Sequence, residues 1–177
     1  MPRVFIEGNH NSQSDSKEYK DAELLGKKLV ALGYTVVSSA RKGISEAVFK
    51  GAEKENSNSI RVAIDCAEIN LPRNNKFSKE IIADNYFDMK MKNCINSDAF
   101  IFLPGSFSVL CNLAIVLQLK KLELMGNKPL ICVGEQLENI LELFSFYNED
   151  VLDIFDKLFF VDDVDGAVNV LIKNLKK

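Results

Sequence analysis

A short polar segment in the middle of the chain combines residue types that bind phosphate: Pro104, Gly105, Ser106 and Ser108. It separates the apolar run 99–103 from a longer apolar stretch, a pattern that predicts a buried strand, a tight loop and a helix. The first N–H groups of a helix have no acceptor within it, and the helix dipole favours an anion there. The segment therefore predicts a site for a phosphate-bearing ligand.

Two other predicted loops carry small or polar residues where a strand ends. The first strand ends at Gly8 and Asn9, and the second ends at Ser38, which is followed by Ser39 and then Gly43. Ligands of parallel sheets bind beyond the carboxyl ends of the strands, near a switch in strand order. We therefore expect these loops to converge with the loop at Pro104.

Strands and helices alternate along the chain. The predicted strands cover residues 3–7, 34–38, 60–66, 99–103, 130–133 and 158–161. Helices are predicted between them, including much of 79–96, the region 149–155, and a first helix capped by Ser16 and ended by Gly33. This alternation predicts one α/β Rossmann-like domain over residues 1–177, with a mostly parallel sheet of about six strands and helices on both faces.

Composition limits the partners and the compartment. The 177 residues are 47% apolar and 27% charged with a net charge of -3, which argues against broad nucleic-acid binding. The four cysteines lack metal-ligand or redox spacing, so we expect buried reduced thiols, a cytoplasmic protein, and neither a metal nor a cofactor. Residues 99–119 carry no charge, but Pro104 interrupts them, so we expect a strand and a helix rather than a membrane span.

Three segments resemble motifs of the LOG (Lonely Guy) family. Residues 98–112 are similar to its signature DAFIALPGGxGTxxE, and residues 37–40 with 43–52 are similar to its Gly-rich loop followed by GLMGAVAxGA. The turn Gly8-Asn9-His10 matches its first motif, of Gly-Ser-Ser type. Members are Rossmann-like phosphoribohydrolases that cleave the N-glycosidic bond of nucleoside 5'-monophosphates. The resemblance implies a homodimer with its sites near the subunit interface, and a small-molecule nucleotide or phosphoribose ligand.

The chain departs from the family pattern at residues that carry the chemistry. Serines replace two glycines of the signature, and Asn112 replaces its catalytic glutamate. A carboxylate helps glycosidic cleavage by stabilising positive charge or activating water, whereas an amide takes no proton at neutral pH. The family's Arg-Lys pair falls on Met89 and Lys90, and Lys92 lies about one helical turn after Met89. The ligand-binding residues that the resemblance implies are Gly8, Asn9, Ser38, Ser39, Gly43, Lys90, Lys92, Pro104, Gly105, Ser106 and Ser108.

Two functional hypotheses follow from these departures. In the first, the protein binds a nucleoside 5'-monophosphate or a phosphoribose compound, and Asn112 leaves hydrolysis lost or much reduced. In the second, the protein is an active phosphoribohydrolase in which Glu46, Glu7 or a residue of a partner chain supplies the carboxylate. A third alternative is a regulatory partner of an active paralogue. His10, the single histidine, is expected near the mouth of the site.

Overall fold

The computed structural model describes residues 1–39, 42–53, 55, 59–64, 78–147 and 158–175, which contain seven parallel strands and six helices. The strands are β1 (Arg3–Glu7), β2 (Thr35–Ser38), β3 (Ser59–Ile64), β4 (Lys79–Ala83), β5 (Ala99–Phe102), β6 (Leu130–Val133) and β7 (Leu158–Val161). The helices are α1 (Lys17–Ala31), α2 (Ile44–Glu53), α3 (Tyr86–Ile95), α4 (Phe107–Lys121), α5 (Glu135–Tyr147) and α6 (Val164–Asn174). These elements confirm the predicted Rossmann-like α/β fold.

The strand order β4-β3-β2-β1-β5-β6-β7 reverses direction between β1 and β5. These two strands pair in parallel, with Phe5 opposite Phe100 and Glu7 opposite Phe102. The chain leaves β1 towards one face of the sheet and β5 towards the other, so a crevice opens beyond their carboxyl ends. The fold therefore brings the loops after β1 and β5 side by side.

The sheet has an apolar core on each face. On one face Val4 and Ile6 of β1 pack with α1, α2 and α6, and on the other Phe5 packs with α3, α4 and α5. The ring of Phe5 lies edge-on to those of Phe100 and Phe102, with centroids 6.3 and 6.1 Å away. Because the central strands are buried on both faces, they appear in the sequence as uninterrupted apolar runs.

The strand β4 corrects one sequence prediction. A helix was expected over much of 79–96, but Lys79–Ala83 form an edge strand and α3 begins only at Tyr86. Only Ala83 of this strand is buried, so its charged residues gave no strand-like alternation. Asn85 caps α3 by accepting a hydrogen bond from the N–H of Asp88 at 3.0 Å. The predicted strand end at 65–66 and the predicted helix 149–155 lie outside the described residues.

Other predicted elements are confirmed. Ser16 caps α1 by accepting from the N–H of Tyr19 at 3.2 Å, and Gly33 follows the helix with a φ of 81°. The charge-free residues 99–119 form β5 and most of α4. In the part of the chain that the structure describes, every helix is too short or too polar to cross a membrane.

The described cysteines differ in burial. Cys94 and Cys132 are buried in the core, and burial raises the pKa of the Cys94 thiol to about 11 and that of Cys132 to about 12. Cys111 is half-buried on α4. The two core thiols therefore stay protonated at neutral pH and react slowly. Cys66 lies outside the described residues.

Candidate ligand-binding site

The loops after β1, β2 and β5 meet at the switch point of the sheet. The N–H of Asn9 donates to the carbonyl of Pro104 at 3.2 Å, which joins the first loop to the third. The carbonyl of Asn9 accepts from the N–H of Ile44 at 3.1 Å, which joins the first loop to the start of α2. Asn9 thus connects all three loops through its backbone.

Glycines permit this close approach. A Cβ on Gly43, whose φ is 70°, would lie 2.4 Å from the carbonyl oxygen of Asn9. One on Gly105 would lie 3.0 Å from the nitrogen of Asn9, and one on Gly8 would overlap the side chain of Ile44. Because real Cβ atoms do not approach so closely, these positions require glycine for packing of the loops.

The start of α4 offers unpaired donors. Ser106 is the N-cap residue, but its hydroxyl does not cap the helix and instead lies 3.4 Å from Nδ1 of His10. The N–H of Val109 donates to the carbonyl of Ser106 at 2.9 Å, whereas the N–H groups of Phe107 and Ser108 have no acceptor among the described residues. This end of the helix is therefore suited to an anion.

A cleft of about 510 Å³ opens beside these donors. Its lining comes from the loops after β1 and β5 and from the starts of α1 and α5: Asn9, Asn11, Ser12, Ser16, Glu18, Pro104, Gly105, Ser106 and Gln136. The N–H of Gly105 donates to Oε1 of Gln136 at 3.0 Å. Pockets of this volume hold small organic ligands. Gln136 was missed from the sequence, since its approach depends on where α5 begins.

A buried polar cluster lies behind the first turn of α4. Lys90 Nζ lies 3.4 Å from Glu7 Oε1 and donates to Ser108 Oγ at 3.0 Å. The hydroxyl of Ser108 also lies 2.7 Å from Glu7 Oε1, and that of Ser39 lies 3.4 Å from Glu7 Oε2. The side chains of Lys90 and Glu7 are only 1% and 3% exposed, so each charge depends on the other for compensation. The ammonium also lies 5.0 Å from the ring centroid of Tyr86.

The hydroxyl of Ser38 and the ammonium of Lys92 contact groups that neither line the cleft nor belong to the start of α4. The hydroxyl of Ser38 is buried, donates to the carbonyl of Ile6 at 2.8 Å and lies 2.9 Å from that of Ser45. Lys92 pairs with Asp88 at 2.6 Å and donates to the carbonyl of Ile82 at 3.0 Å. The hydrogen bond from Lys92 lowers the pKa of Asp88 below its usual range.

Glu46 and Asn112, the positions considered for catalysis besides Glu7, do not line the cleft. Glu46 is half-buried on α2 and lies near Tyr19, whose pKa is raised by burial and then by the negative charge of Glu46. Asn112 is fully buried, and its amide oxygen and nitrogen have no hydrogen-bond partner among the described residues. Neither side chain is among those that line the cleft. Of Glu7, Glu46 and the amide at Asn112, Glu7 is the one that contacts the start of α4, at 2.7 Å from Ser108 Oγ, whereas the carboxylate residue in the cleft lining is Glu18 of α1.

The unpaired amide of Asn112 leads to a stability prediction. Asn112→Leu keeps the branched shape and the number of side-chain heavy atoms and removes two buried polar atoms without partners among the described residues, so we expect it to raise the free energy of unfolding by about 1–3 kcal/mol. Asn112→Asp places a charge at the same buried position and should lower the free energy of unfolding. Urea unfolding of the two variants measures both changes. An Asn112→Leu variant less stable than the wild type would show that the amide is paired in solution.

Within the described residues there is no group of three or more His, Cys, Asp or Glu side chains that could hold a metal ion. The site is defined instead by a helix start, three converging loops and a buried ion pair, on an open parallel sheet. These features define a Rossmann-like protein with a cleft at its switch point.

The family assignment agrees with this class. Residues 2–151 match the model of the SLOG cluster4 family, so the chain belongs to that family. The match confirms the predicted relation to the LOG-like proteins. Comparison with curated proteins found no significant match.

Several solved structures share the fold at low sequence identity. The molybdenum cofactor carrier protein of Chlamydomonas reinhardtii is 19% identical with a TM-score of 0.75, covering 99% of each chain. The molybdenum cofactor binding protein of Rippkaea orientalis is 18% identical with a TM-score of 0.77, covering 99% of this chain and 98% of its own. DNA processing protein A of Helicobacter pylori, described as binding single-stranded DNA, is 16% identical with a TM-score of 0.60, covering 97% and 80%. These likenesses support the fold alone.

Proposed function

We propose that the protein binds a nucleoside 5'-monophosphate or another phosphorylated ribose compound, and that it does not cleave it at an appreciable rate. The start of α4 carries the proposal. There the N–H groups of Phe107 and Ser108 lack acceptors among the described residues, and the hydroxyl of Ser106 faces His10 at the edge of the cleft. A phosphate would accept from the helix N–H groups and from Ser106, while His10 is close enough to donate to it.

The lack of cleavage rests on where the carboxylates lie. Asn112 is neutral and buried at the position of the family glutamate. Glu7 contacts the start of α4, but Lys90 and Ser108 hold the same carboxylate oxygen, which leaves that oxygen less available to a cationic sugar. Two of the solved neighbours are described as carrying or binding a cofactor, which supports a binding role for this fold.

Glu7 also carries the alternative function. Among the candidate carboxylates it alone contacts Ser108 at the start of α4, at 2.7 Å. In an active phosphoribohydrolase it would be the relocated carboxylate, freed from Lys90 when the ligand binds. Incubation with AMP, followed by an assay for free adenine, distinguishes the two functions. Adenine release that is lost in the double variant Glu7→Gln/Lys90→Met, which removes both charges of the buried pair and should stay folded, would support the enzyme, whereas binding without release supports the binding protein.

The phosphate site is tested by Ser106→Asp. Asp is a good N-cap residue, so the fold should persist, but its carboxylate lies where the phosphate would bind. We expect the affinity for ribose 5-phosphate, measured by calorimetry, to fall at least about 100-fold through charge repulsion. Asn85→Asp changes the charge equally at the N-cap of α3 and should leave the affinity unchanged.

Two results would contradict the proposed ligand class. Adenosine binding as tightly as AMP would mean that no phosphate is held, and binding of a single-stranded oligonucleotide in preference to both would make a nucleic acid the ligand. The net charge of -3 leads us to expect no nucleic-acid binding.

A further inference from the structure

The cleft at the switch point of the sheet contains a negative side chain. Glu18 lies in the first turn of α1 and lines this cleft together with Ser106 at the start of α4. Among the described residues that line the cleft there is no other Asp or Glu. A carboxylate repels a phosphate, so it lowers the affinity of the cleft for an anion that carries no other group. A phosphate-bearing ligand of this cleft therefore needs a second group, one that a carboxylate attracts.

The carboxylate of Glu18 is ionised at neutral pH. Its own backbone N–H and the hydroxyl of Ser16 lower the pKa of Glu18 below its usual range, and the charge of Lys17 adds to this effect. An ionised carboxylate only accepts hydrogen bonds, and it has about four acceptor positions. Two donors of the chain therefore leave acceptor positions of Glu18 for a ligand, and the ligand group that occupies them must be a donor.

The donors and the acceptor of the cleft come from opposite faces of the sheet. The helix α1 packs on the face that holds Val4 and Ile6, whereas α4 packs on the face that holds Phe5, and the starts of both helices line the cleft. A ligand between them meets the N–H groups and the Ser106 hydroxyl of α4 on one side and the Glu18 carboxylate on the other. It must carry acceptor oxygens at one end and donor groups at the other.

We propose that Glu18 binds the 2'- and 3'-hydroxyls of the ribose and thereby selects ribose phosphates over 2'-deoxyribose phosphates, an inference that rests on the function proposed above. Two neighbouring hydroxyls present two O–H donors side by side, which suits the two oxygens of a carboxylate. Hydrogen bonds to an ionised acceptor are shorter and stronger than those between neutral groups. The phosphate at the 5' position extends from the other side of the sugar ring, towards the start of α4.

The other carboxylates considered for the site are placed differently. Oε1 of Glu7 lies 3.4 Å from the ammonium of Lys90 and 2.7 Å from the hydroxyl of Ser108, so partners within the chain already hold it. Glu46 lies on α2 and is not among the residues that line the cleft. Glu18 is thus the carboxylate of these three that a ligand in the cleft meets directly.

Calorimetry with AMP and 2'-deoxy-AMP tests the assignment of Glu18 to the sugar. We expect the wild type to bind AMP at least about tenfold more tightly, because the deoxy compound lacks one hydrogen bond to a charged group. In Glu18→Gln this preference should fall close to one. The ratio of the two affinities is the decisive quantity, since both nucleotides carry the same phosphate and the repulsion by Glu18 cancels. Inorganic phosphate, which has no sugar, should bind more tightly to Glu18→Gln than to the wild type.

Glu135→Gln is the matched control for the loss of charge. Glu135 is an exposed residue in the first turn of α5, next to Gln136 of the cleft, but it does not line the cleft itself. This variant removes the same charge near the same edge of the sheet and should keep the preference of the wild type for AMP.

The outcomes separate this inference from the proposed function. Equal affinities of the wild type for AMP and 2'-deoxy-AMP, or a preference for AMP that persists in Glu18→Gln, would overturn the role of Glu18 and leave the phosphate site standing. A preference lost equally in Glu135→Gln would also overturn it, because the effect would then be one of charge at a distance. A wild type that binds neither AMP nor inorganic phosphate would overturn both the inference and the proposed function.

Discussion

Replacing Lys90 by methionine is expected to lower the free energy of unfolding by about 3–5 kcal/mol. The change removes the ammonium from Glu7, whose side chain is 3% exposed, and leaves the carboxylate with hydroxyl donors from Ser108 and Ser39. A buried charge without a counter-ion is far less stable than one in water. Urea unfolding followed by circular dichroism measures the loss.

Two controls separate the ion pair from loss of packing. Lys92→Met removes a lysine from the same helix, but its pair with Asp88 is partly exposed, and such pairs contribute at most about 1 kcal/mol. The double variant Glu7→Gln/Lys90→Met removes both charges and should recover most of the lost stability. Equal effects of Lys90→Met and Lys92→Met would contradict a buried ion pair.

The same double variant separates stability from binding. The Lys90 ammonium lies 3.0 Å from Ser108 Oγ behind the first turn of α4, and Glu7 Oε1 lies 2.7 Å from the same hydroxyl. The double variant therefore removes one positive and one negative charge and leaves the net charge beside that helix end unchanged, so it should fold well and bind ribose 5-phosphate about as tightly as the wild type. Weaker binding by the folded double variant would mean that the ion pair also positions the start of α4 for the ligand.

Most of the fold could be predicted because central parallel strands are buried on both faces. The residues of β5 and β6 are all buried, so each strand is a short apolar run that the sequence displays directly. The strand β4 has one neighbour in the sheet and exposes Lys79 and Glu80, so nothing in its composition required a strand. Its place depends on pairing with β3, which is a tertiary contact.

The loops of the candidate site were predictable for a similar reason. Parallel strands bring the loops at their carboxyl ends to one edge of the sheet. The loops after β1, β2 and β5 contain Gly8, Gly43 and Pro104 respectively. The sequence did not predict that Glu7 and Lys90 form an ion pair, because they are 83 residues apart and come together only when α3 packs against the sheet. Lys90 and Lys92 were both assigned to the ligand, although residues two apart on a helix point in different directions.

Replacing Gly43 by alanine is expected to lower the free energy of unfolding by about 2–4 kcal/mol. Its φ of 70° alone makes a side chain unfavourable by about 1–2 kcal/mol. In addition, the new Cβ would lie 2.4 Å from the carbonyl oxygen of Asn9, which is already committed to the N–H of Ile44. The loops after β1 and β2 would have to separate, and thermal unfolding would measure the cost as a lower Tm.

Gly33→Ala is the matched control for this change. Gly33 also has a positive φ, of 81°, but its added Cβ would have no atom within 4 Å. Its effect should be about 1 kcal/mol or less, because strain in the folded chain is partly offset by the lower entropy of the unfolded one. The difference between the two variants isolates the contact with Asn9. Equal losses of stability in both variants would mean that the loops do not depend on this contact. Since Asn9 also joins the loop at Pro104, Gly43→Ala should weaken ribose 5-phosphate binding as well.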